Sequence, residues 1–279
     1  MNILILAAYL KGIGSAAVLI GGLGIMAGAL LGIAAARLEV KMDEREETIK
    51  ELLPGNNCGA CGFAGCGSLA AAIHKGEALP NACPVADSTV HEQIAAVTGT
   101  IAEERKRMAA FVKCRGICDK TRVKYNYYGI MDCNKAANIP GGGARQCGYG
   151  CMGLGSCTKV CQFDAIQIVD GIAVIDKDKC TSCGLCVKTC PKKVIELKPY
   201  DTFYAVLCNS REKGKEVKSA CDIGCIGCTL CVRNCEHKAI DFKDNLASID
   251  SDKCVGCGIC AEKCPTGNIS RITKQINVS

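Results

Sequence analysis

The chain of 279 residues contains no tryptophan, five phenylalanines, seven tyrosines and three histidines. Because aromatic residues make up only 4% of the sequence, Val, Ile, Leu and Ala must build the apolar core. The sequence also lacks a P-loop, a Rossmann glycine fingerprint and a recognisable flavin-attachment motif. Its glycine run, Gly141-Gly142-Gly143, has no strand–helix context and is interpreted as a loop. Nothing in the sequence therefore predicts a nucleotide site.

The residue that the sequence has in abundance is cysteine, with 25 copies. Two runs, 180–191 and 254–265, share the spacing Cys-x2-Cys-x2-Cys-x3-Cys-Pro. In two-cluster bacterial ferredoxins, the first three cysteines of such a run hold one cluster and the fourth binds another. Disulfide scaffolds are usually short and extracellular, and zinc sites usually show paired Cys-x2-Cys halves. The pattern therefore predicts several [4Fe–4S] clusters and a reducing compartment.

The basic composition does not point to nucleic acid. The formal net charge is +6, but this value leaves out ligating thiolates. A [4Fe–4S]2+ core with four thiolates carries about −2, so that five clusters would bring the charge to roughly −4. The sequence also has no basic run interleaved with aromatic residues. We therefore expect no nucleic-acid partner.

An apolar segment near the N-terminus predicts a membrane anchor. Residues 15–36 are all apolar or small and, at about 1.5 Å per helical residue, are long enough to cross a hydrocarbon layer of about 30 Å. Arg37 and Lys41 follow, and the positive-inside rule then favours a cytoplasmic C-terminal side. A cleaved signal peptide is the alternative, although its apolar region would be shorter. We expect a single-pass anchor in the cytoplasmic membrane, with the Fe–S domains on the cytoplasmic side.

A small helical domain with its own cysteine group is expected after the anchor. Residues 42–54 have the pattern of a short charged helix that ends at Pro54, and residues 68–76 are also helical in pattern. The glycine-rich loop NNCGACGFAGC lies between these segments and contains three cysteines in the spacing Cys-x2-Cys-x4-Cys, followed by x16-Cys. Residues 86–113 are expected to form a further helix.

The C-terminal half is an internal duplication. A shift of 74 residues maps Cys180 onto Cys254 and Cys147 onto Cys221. Between the cysteine runs, AIQIVDGIAVID aligns with AIDFKDNLASID, and both segments predict β-hairpins, with turns at Asp170-Gly171 and Asp244-Asn245. The fold class is therefore predicted as α+β. The predicted segments are a transmembrane helix (1–37), a small helical 4Fe–4S domain (38–90), a helical or irregular linker with cysteines (91–140) and two duplicated ferredoxin-like modules (141–205 and 206–279).

The spacing assigns four metal sites of four thiolates each, which we name A, B, D and E. Their predicted ligands are Cys58, Cys61, Cys66 and Cys83 (site A); Cys161, Cys180, Cys183 and Cys186 (site B); Cys225, Cys228, Cys231 and Cys264 (site D); and Cys235, Cys254, Cys257 and Cys260 (site E).

A fifth site, site C, is less regular. The repeat predicts a cysteine at position 154, but the residue there is Leu154. Cys151, Cys157 and Cys190 then need a fourth ligand, for which Cys147 is the nearest candidate.

A rival interpretation places Cys147 in a separate sixth cluster and leaves site C with three ligands. The other members of that cluster would be Cys114, Cys118 and Cys133. We expect about five clusters, with five cysteines unassigned, and regard a sixth as the less favoured alternative. The unassigned cysteines are Cys114, Cys118, Cys133, Cys208 and Cys221.

The order of these features resembles the B subunits of Rnf electron-transport complexes over the whole chain. The segment NNCGACGFAGC after an N-terminal anchor is the most distinctive part, and the segment CGYGCMGLGSC with the duplicated module is similar to the longer versions from anaerobic bacteria. The resemblance implies a subunit of an ion-translocating ferredoxin:NAD+ oxidoreductase. Such a subunit accepts electrons from reduced soluble ferredoxin and passes them to the other Rnf-type membrane subunits, while the complex moves Na+ or H+. It implies an electron carrier without catalytic residues, since NAD+ is reduced elsewhere.

The alternative function is an anchored polyferredoxin that serves a hydrogenase, a formate dehydrogenase or a CO dehydrogenase. In either case, basic residues crowd the ferredoxin modules and would steer an acidic ferredoxin towards them. An ordinary solvated surface is the competing interpretation. The basic residues are Lys177, Lys179, Lys188, Lys192, Lys193, Arg233, Lys238, Lys253 and Lys263.

Overall fold

The computed structural model describes residues 14, 18, 20–33, 43–101 and 106–272. The chain divides into two units, Met1–Glu47 and Thr48–Ser279. The first unit contains helix α1, which is described over residues 20–33, and the start of helix α2 (Glu44–Leu52). The second unit contains all 25 cysteines.

The predicted transmembrane helix is not found. Among the described residues, no helix is both long enough and apolar enough to cross a membrane. The 14 described residues of α1 span roughly 21 Å at about 1.5 Å per residue, which is less than a hydrocarbon layer of about 30 Å. The remaining residues of the predicted 15–36 segment lie outside the described residues. The expectation of an N-terminal transmembrane helix is therefore wrong for the part of the chain that the structure describes.

Three helices and the loops between them surround the first cysteine group. Helices α2, α3 (Cys66–His74) and α4 (Ser88–Thr98) bury Ile49, Leu69 and Ile94 almost completely. Asp87 caps α4 because its carboxylate accepts a hydrogen bond from the N–H of Val90, at 2.9 Å. The helices predicted near 42–54 and 68–76 are confirmed.

The helix predicted over 86–113 is too long. Helix α4 ends at Thr98, where Gly99 takes a left-handed conformation with φ of 70°. Strand β1 (Met108–Val112) then begins inside the segment that was expected to be helical.

Two small antiparallel sheets form the first ferredoxin-like module. Strands β2 (Ile166–Val169) and β3 (Ile172–Ile175) form the predicted hairpin, with positive φ at Asp170 and Gly171, as the two-residue turn requires. Strand β1 pairs with β4 (Ile195–Pro199), so that the predicted linker contributes an edge of this module. The helices of this region are α5 (Cys133–Ala137), α6 (Ser156–Lys159) and α7 (Leu185–Thr189).

The second module repeats this arrangement. Strands β6 (Ile240–Lys243) and β7 (Leu246–Ile249) form the second hairpin, and β5 (Tyr204–Val206) pairs with β8 (Ile269–Arg271). The helices are α8 (Gly214–Ala220), α9 (Leu230–Arg233) and α10 (Ile259–Glu262).

The strand register aligns β1 with β5. Val112 lies opposite Ile195 in the first module, and Val206 lies opposite Ile269 in the second. Because Ile195 and Ile269 are 74 residues apart, Val112 and Val206 occupy equivalent positions although they are 94 residues apart. The first module therefore has about 20 additional residues between this strand and its first cysteine loop.

The two modules pack against each other along these strands. Side chains alternate between the two faces of a strand, so Val112 faces the core of the first module and Phe111 faces away from it. Phe111 is 5% exposed and packs with Ala205 and Leu207, which flank the inward-facing Val206 of β5. Burying one aromatic side chain of this size stabilises the fold by about 1.5–3 kcal/mol. The arrangement places the residues after β1 and β5 close to the boundary between the modules.

Candidate metal centres

Site A lies on the loop between α2 and α3. The loop turns through Gly59 and Gly62, which have φ of 67° and 91°, and such values favour glycine because it has no Cβ. The side chain of Asn57 fixes the end of the loop by accepting the N–H of Cys66, at 2.9 Å. Burial raises the pKa of Cys83, and the charges of Cys61 and Cys66 raise it further. The structure therefore brings Cys83 to the cysteines of the loop, as the sequence predicts for this site.

The thiols of site B also converge. Burial and the neighbouring charges of Cys180 and Cys183 raise the pKa of Cys186 to about 12, and Cys161 adds to this effect. The N–H of Ala110 in β1 donates a hydrogen bond to the sulfur of Cys180, at 3.3 Å. Such N–H groups stabilise thiolates and tune the potential of a cluster bound by them.

Sites D and E each surround a cavity. All four predicted ligands of site D line a cavity of about 380 Å3, and all four ligands of site E line one of about 350 Å3. The N–H of Asn268 donates to the sulfur of Cys264 at 3.3 Å, and the N–H of Ala239 donates to that of Cys235 at 3.4 Å. Burial alone would raise the pKa of Cys264, but hydrogen bonds from Thr266 and Asn268 hold it below its ordinary value.

At site C, the structure brings an unexpected thiol to the predicted ones. Burial raises the pKa of Cys157 to about 12, and the neighbouring charges that add to this are Cys151, Cys133 and Cys190. Cys133 is also among the charges that raise the pKa of Cys151. Cys133 is therefore the fourth thiol of this group, whereas the sequence pointed to Cys147.

Helix α5 carries Cys133 to site C. The N–H of Cys133 donates to the hydroxyl of Ser156 at 2.6 Å, and this hydroxyl donates to the carboxylate of Asp132 at 2.9 Å. Asp132 also caps α5, and hydrogen bonds from Lys135 and Ser156 hold its pKa below the ordinary value. Since Ser156 directly precedes Cys157, these bonds join α5 to the loop that carries a predicted ligand. A hydroxyl before the ligand cysteine was the only local signal for this contact.

The other cysteines without a sequence assignment fall into two environments. Cys118 is exposed and lies 3.8 Å from a guanidinium nitrogen of Arg145. Cys114, Cys208 and Cys221 line the same cavity as Cys147. The rival sixth group of the sequence analysis is therefore not assembled as such, because Cys133 and Cys118 lie elsewhere.

The donor sets fit [4Fe–4S] clusters. Each of sites A to E collects four thiols, which become thiolates when iron binds because metal binding displaces their protons. Among the described residues, no three His, Cys, Asp or Glu side chains are placed to hold one metal ion. A cubane of four irons and four sulfides separates its four thiolates more widely than a single ion does.

Comparison with known proteins gives the same cofactor. A 4Fe-4S dicluster domain family matches residues 224–268, a 4Fe-4S binding domain family matches residues 173–196, and an Fe-S cluster family matches residues 53–85. Multiple [4Fe–4S] clusters are thus the cofactors of this chain.

Three curated relatives cover nearly the whole chain. The B subunit of the Na(+)-translocating ferredoxin:NAD(+) oxidoreductase complex of Acetobacterium woodii is 42% identical over 90% of this chain and 76% of its own length. The B subunit of the ion-translocating oxidoreductase complex of Methanosarcina acetivorans is 41% identical over 91% and 96%, respectively. The proton-translocating counterpart from Clostridium ljungdahlii is 40% identical over 90% and 89%. On this identity and coverage, the chain belongs to the family of B subunits of ion-translocating ferredoxin:NAD+ oxidoreductase (Rnf) complexes.

Proposed function

We propose that the chain is the component of an Rnf-type complex that accepts electrons from reduced ferredoxin and passes them to the other subunits, while the complex moves Na+ or H+. When bound, the [4Fe–4S] clusters supply reversible one-electron carriers. The residues of the chain hold these clusters, donate N–H groups to their thiolates and keep water away from them. Membership of the family favours this function over that of a polyferredoxin serving a hydrogenase or a dehydrogenase.

The observation that carries the proposal is the close succession of the thiol groups. Ser182, next to Cys183 of site B, donates to the carbonyl of Pro84, next to Cys83 of site A, at 3.2 Å. The charge of Cys58 in site A also raises the pKa of Cys183. Within each module, the fourth cysteine of a run lies in the neighbouring site, so that sites B and C adjoin, as do sites D and E. A one-electron path through the chain needs such short intervals.

Site E is the place where we propose that ferredoxin docks. Cys257 is exposed, unlike the other predicted ligands, and the neighbouring Val255 is 57% exposed. Lys238 and Lys263 are exposed, and each lies three residues after a ligand of this site. Lys192, another member of the predicted basic set, is half-buried, and both burial and the charge of Lys124 lower its pKa. The exposed pair therefore presents positive charge more effectively to an acidic partner.

The test measures how fast reduced ferredoxin transfers electrons to the anaerobically purified chain, by following the visible absorbance of its clusters. We expect Lys238→Glu/Lys263→Glu to slow this reaction about tenfold or more at low salt and to weaken its salt dependence. The matched control is Lys215→Glu/Lys218→Glu, which makes the same charge change on α8 and should leave the rate almost unchanged. Equal rates for the two variants would contradict the docking site. A wild-type chain that reduced ferredoxin cannot reduce would contradict the function itself.

We also propose that the cysteine-rich unit faces the cytoplasm and is held at the cytoplasmic membrane by the other subunits of the complex. Support comes from the 25 cysteines, which need a reducing compartment to remain free thiols or ligands. In membrane vesicles of known sidedness, a membrane-impermeant thiol reagent should label Cys118 only from the cytoplasmic side. Labelling from the opposite side would contradict this placement.

A further inference from the structure

A cavity between the two modules is lined by four cysteines that no matched family covers. The cavity measures about 470 Å3, and Cys114, Cys147, Cys208 and Cys221 all lie on its wall. Sites D and E show the same relation, since four cysteines line a cavity of similar size in each. The matched segments, 53–85, 173–196 and 224–268, contain none of these four residues.

The sulfurs of these cysteines point towards one another. A Cβ atom placed on Gly116 would lie 3.6 Å from the sulfur of Cys114 and 3.6 Å from that of Cys221. A Cβ atom placed on Gly150 would lie 3.4 Å from the sulfur of Cys147 and 3.6 Å from that of Cys114. The sulfur of Cys114 is therefore within about twice that distance of both other sulfurs.

The fourth thiol, Cys208, belongs to the same group. It is 9% exposed, and the charge of Cys147 is among the causes that raise its pKa. The charge of Cys208 in turn raises the pKa of Cys114.

The four cysteines form two equivalent pairs, one member of each pair coming from each module. Cys147 and Cys221 correspond through the 74-residue repeat. Cys114 and Cys208 correspond through the strand register, because each follows the equivalent residues Val112 and Val206 by two positions. The site thus takes the same two positions from both copies of the module. Thiols scattered as ordinary core residues would not be expected to meet in this way.

The surroundings suit a negatively charged group. The N–H of Cys151 donates to the sulfur of Cys114 at 3.4 Å, and the N–H of Ser210 donates to that of Cys208 at 3.4 Å. Three cationic side chains and one carboxylate line the cavity; they are Lys113, Arg115, Arg145 and Glu212. This excess of positive charge offsets the net charge of about −2 that a [4Fe–4S]2+ cluster with four thiolates carries.

We propose that Cys114, Cys147, Cys208 and Cys221 hold a further [4Fe–4S] cluster, site F, which the two modules share. With Cys133 in site C, six sites then use 24 of the 25 cysteines and leave only the exposed Cys118.

Site F lies between sites C and D. Its Cys114 accepts a hydrogen bond from the backbone of Cys151, a ligand of site C. Its Cys208 receives one from the backbone of Cys225, a ligand of site D, and also senses the charge of that residue. A cluster held here would close the interval between the two modules.

The first test is the iron content of the full wild-type chain, purified anaerobically and analysed together with zinc and protein. Site F predicts about 24 irons per chain, against about 20 for five clusters. About 20 irons would overturn the proposal, and so would about 20 irons with one zinc, because four thiolates can also hold zinc. This measurement does not depend on any variant folding.

The second test removes two ligands from the second module. Cys208→Ala/Cys221→Ala should lose about four irons, and the EPR intensity of the fully reduced chain should fall by about one sixth. Cys118→Ala is the matched control and should keep both. An unchanged iron content in the double variant would overturn site F. Because these readouts need no ferredoxin, a failure here is distinct from a failure of the proposed electron-accepting function.

Discussion

Gly153 and Gly227 offer a matched pair of substitutions that tests how the cysteine loops pack. They are equivalent residues of the two modules, have φ of 71° and 69°, and each follows a predicted ligand by two positions. Each loop passes directly over the turn of its own hairpin. A Cβ at position 153 would lie 2.2 Å from the carbonyl oxygen of Gly171, whereas a Cβ at position 227 would lie 3.2 Å from that of Asn245.

The two alanine variants should therefore differ in cost. In both variants, the left-handed conformation costs alanine about 1–2 kcal/mol. At position 153, the Cβ also meets a backbone oxygen that cannot turn aside, which adds about 1–3 kcal/mol of overpacking. Gly153→Ala should thus destabilise its loop by roughly 2–5 kcal/mol. The difference between the variants corresponds to about 5- to 150-fold in the equilibrium for loop opening.

The assay is the rate at which the anaerobic holoprotein loses visible absorbance in excess chelator, because a chain with several metal sites need not unfold in two states. We expect the rate to increase from the wild type to Gly227→Ala and again to Gly153→Ala. Gly99→Ala isolates the conformational cost, since φ there is 70° but no atom lies within 4 Å of the added Cβ. Equal rates for Gly153→Ala and Gly227→Ala would refute the reasoning, because only the contact with the hairpin turn separates them.

Three other predictions concern the sites and the contacts between them. Cys133→Ala/Cys147→Ala should lose two clusters by EPR, because the two thiols belong to different sites; the loss of only one would restore Cys147 to site C. Ser156→Ala should leave the buried N–H of Cys133 without its partner and destabilise site C by about 1–3 kcal/mol, seen as faster iron loss than in Cys118→Ala. Asn268→Leu removes a buried amide that donates to two backbone carbonyls and should lower the thermal midpoint of cluster loss, whereas an unchanged midpoint would contradict that role.

The hairpins could be predicted from the sequence because their signals are local. Each has a two-residue turn, and its strands have matching patterns in the two copies. Strand β1 could not be predicted in the same way. Its sequence, MAAFV, is rich in helix-forming residues, and it becomes a strand because it pairs with β4, more than 80 residues later in the chain. A tertiary partner overrides the local propensity here, and with β1 misassigned the equivalence of Cys114 and Cys208 stays hidden.

The cysteine spacing predicted the thiol groups that follow a repeated local pattern, and sites B, D and E are of this kind. It could not find Cys133, because this residue lies in the additional segment of the first module and has no counterpart in the second. Only the docking of α5 through Ser156 brings it to Cys157. The N-terminal anchor was inferred from apolar length alone, and the described part of the chain contains no helix that meets that requirement.

The position of Leu154 explains why the two modules differ. In the second module, Cys228 fills the equivalent place, so site D is complete and Cys221 remains free for another role. In the first module, Leu154 removes that ligand, and Cys147 is the nearest replacement along the chain. The additional segment supplies Cys133 instead, which releases Cys147 to match Cys221. The additional segment therefore restores the equivalence of the modules on which a shared site between them depends.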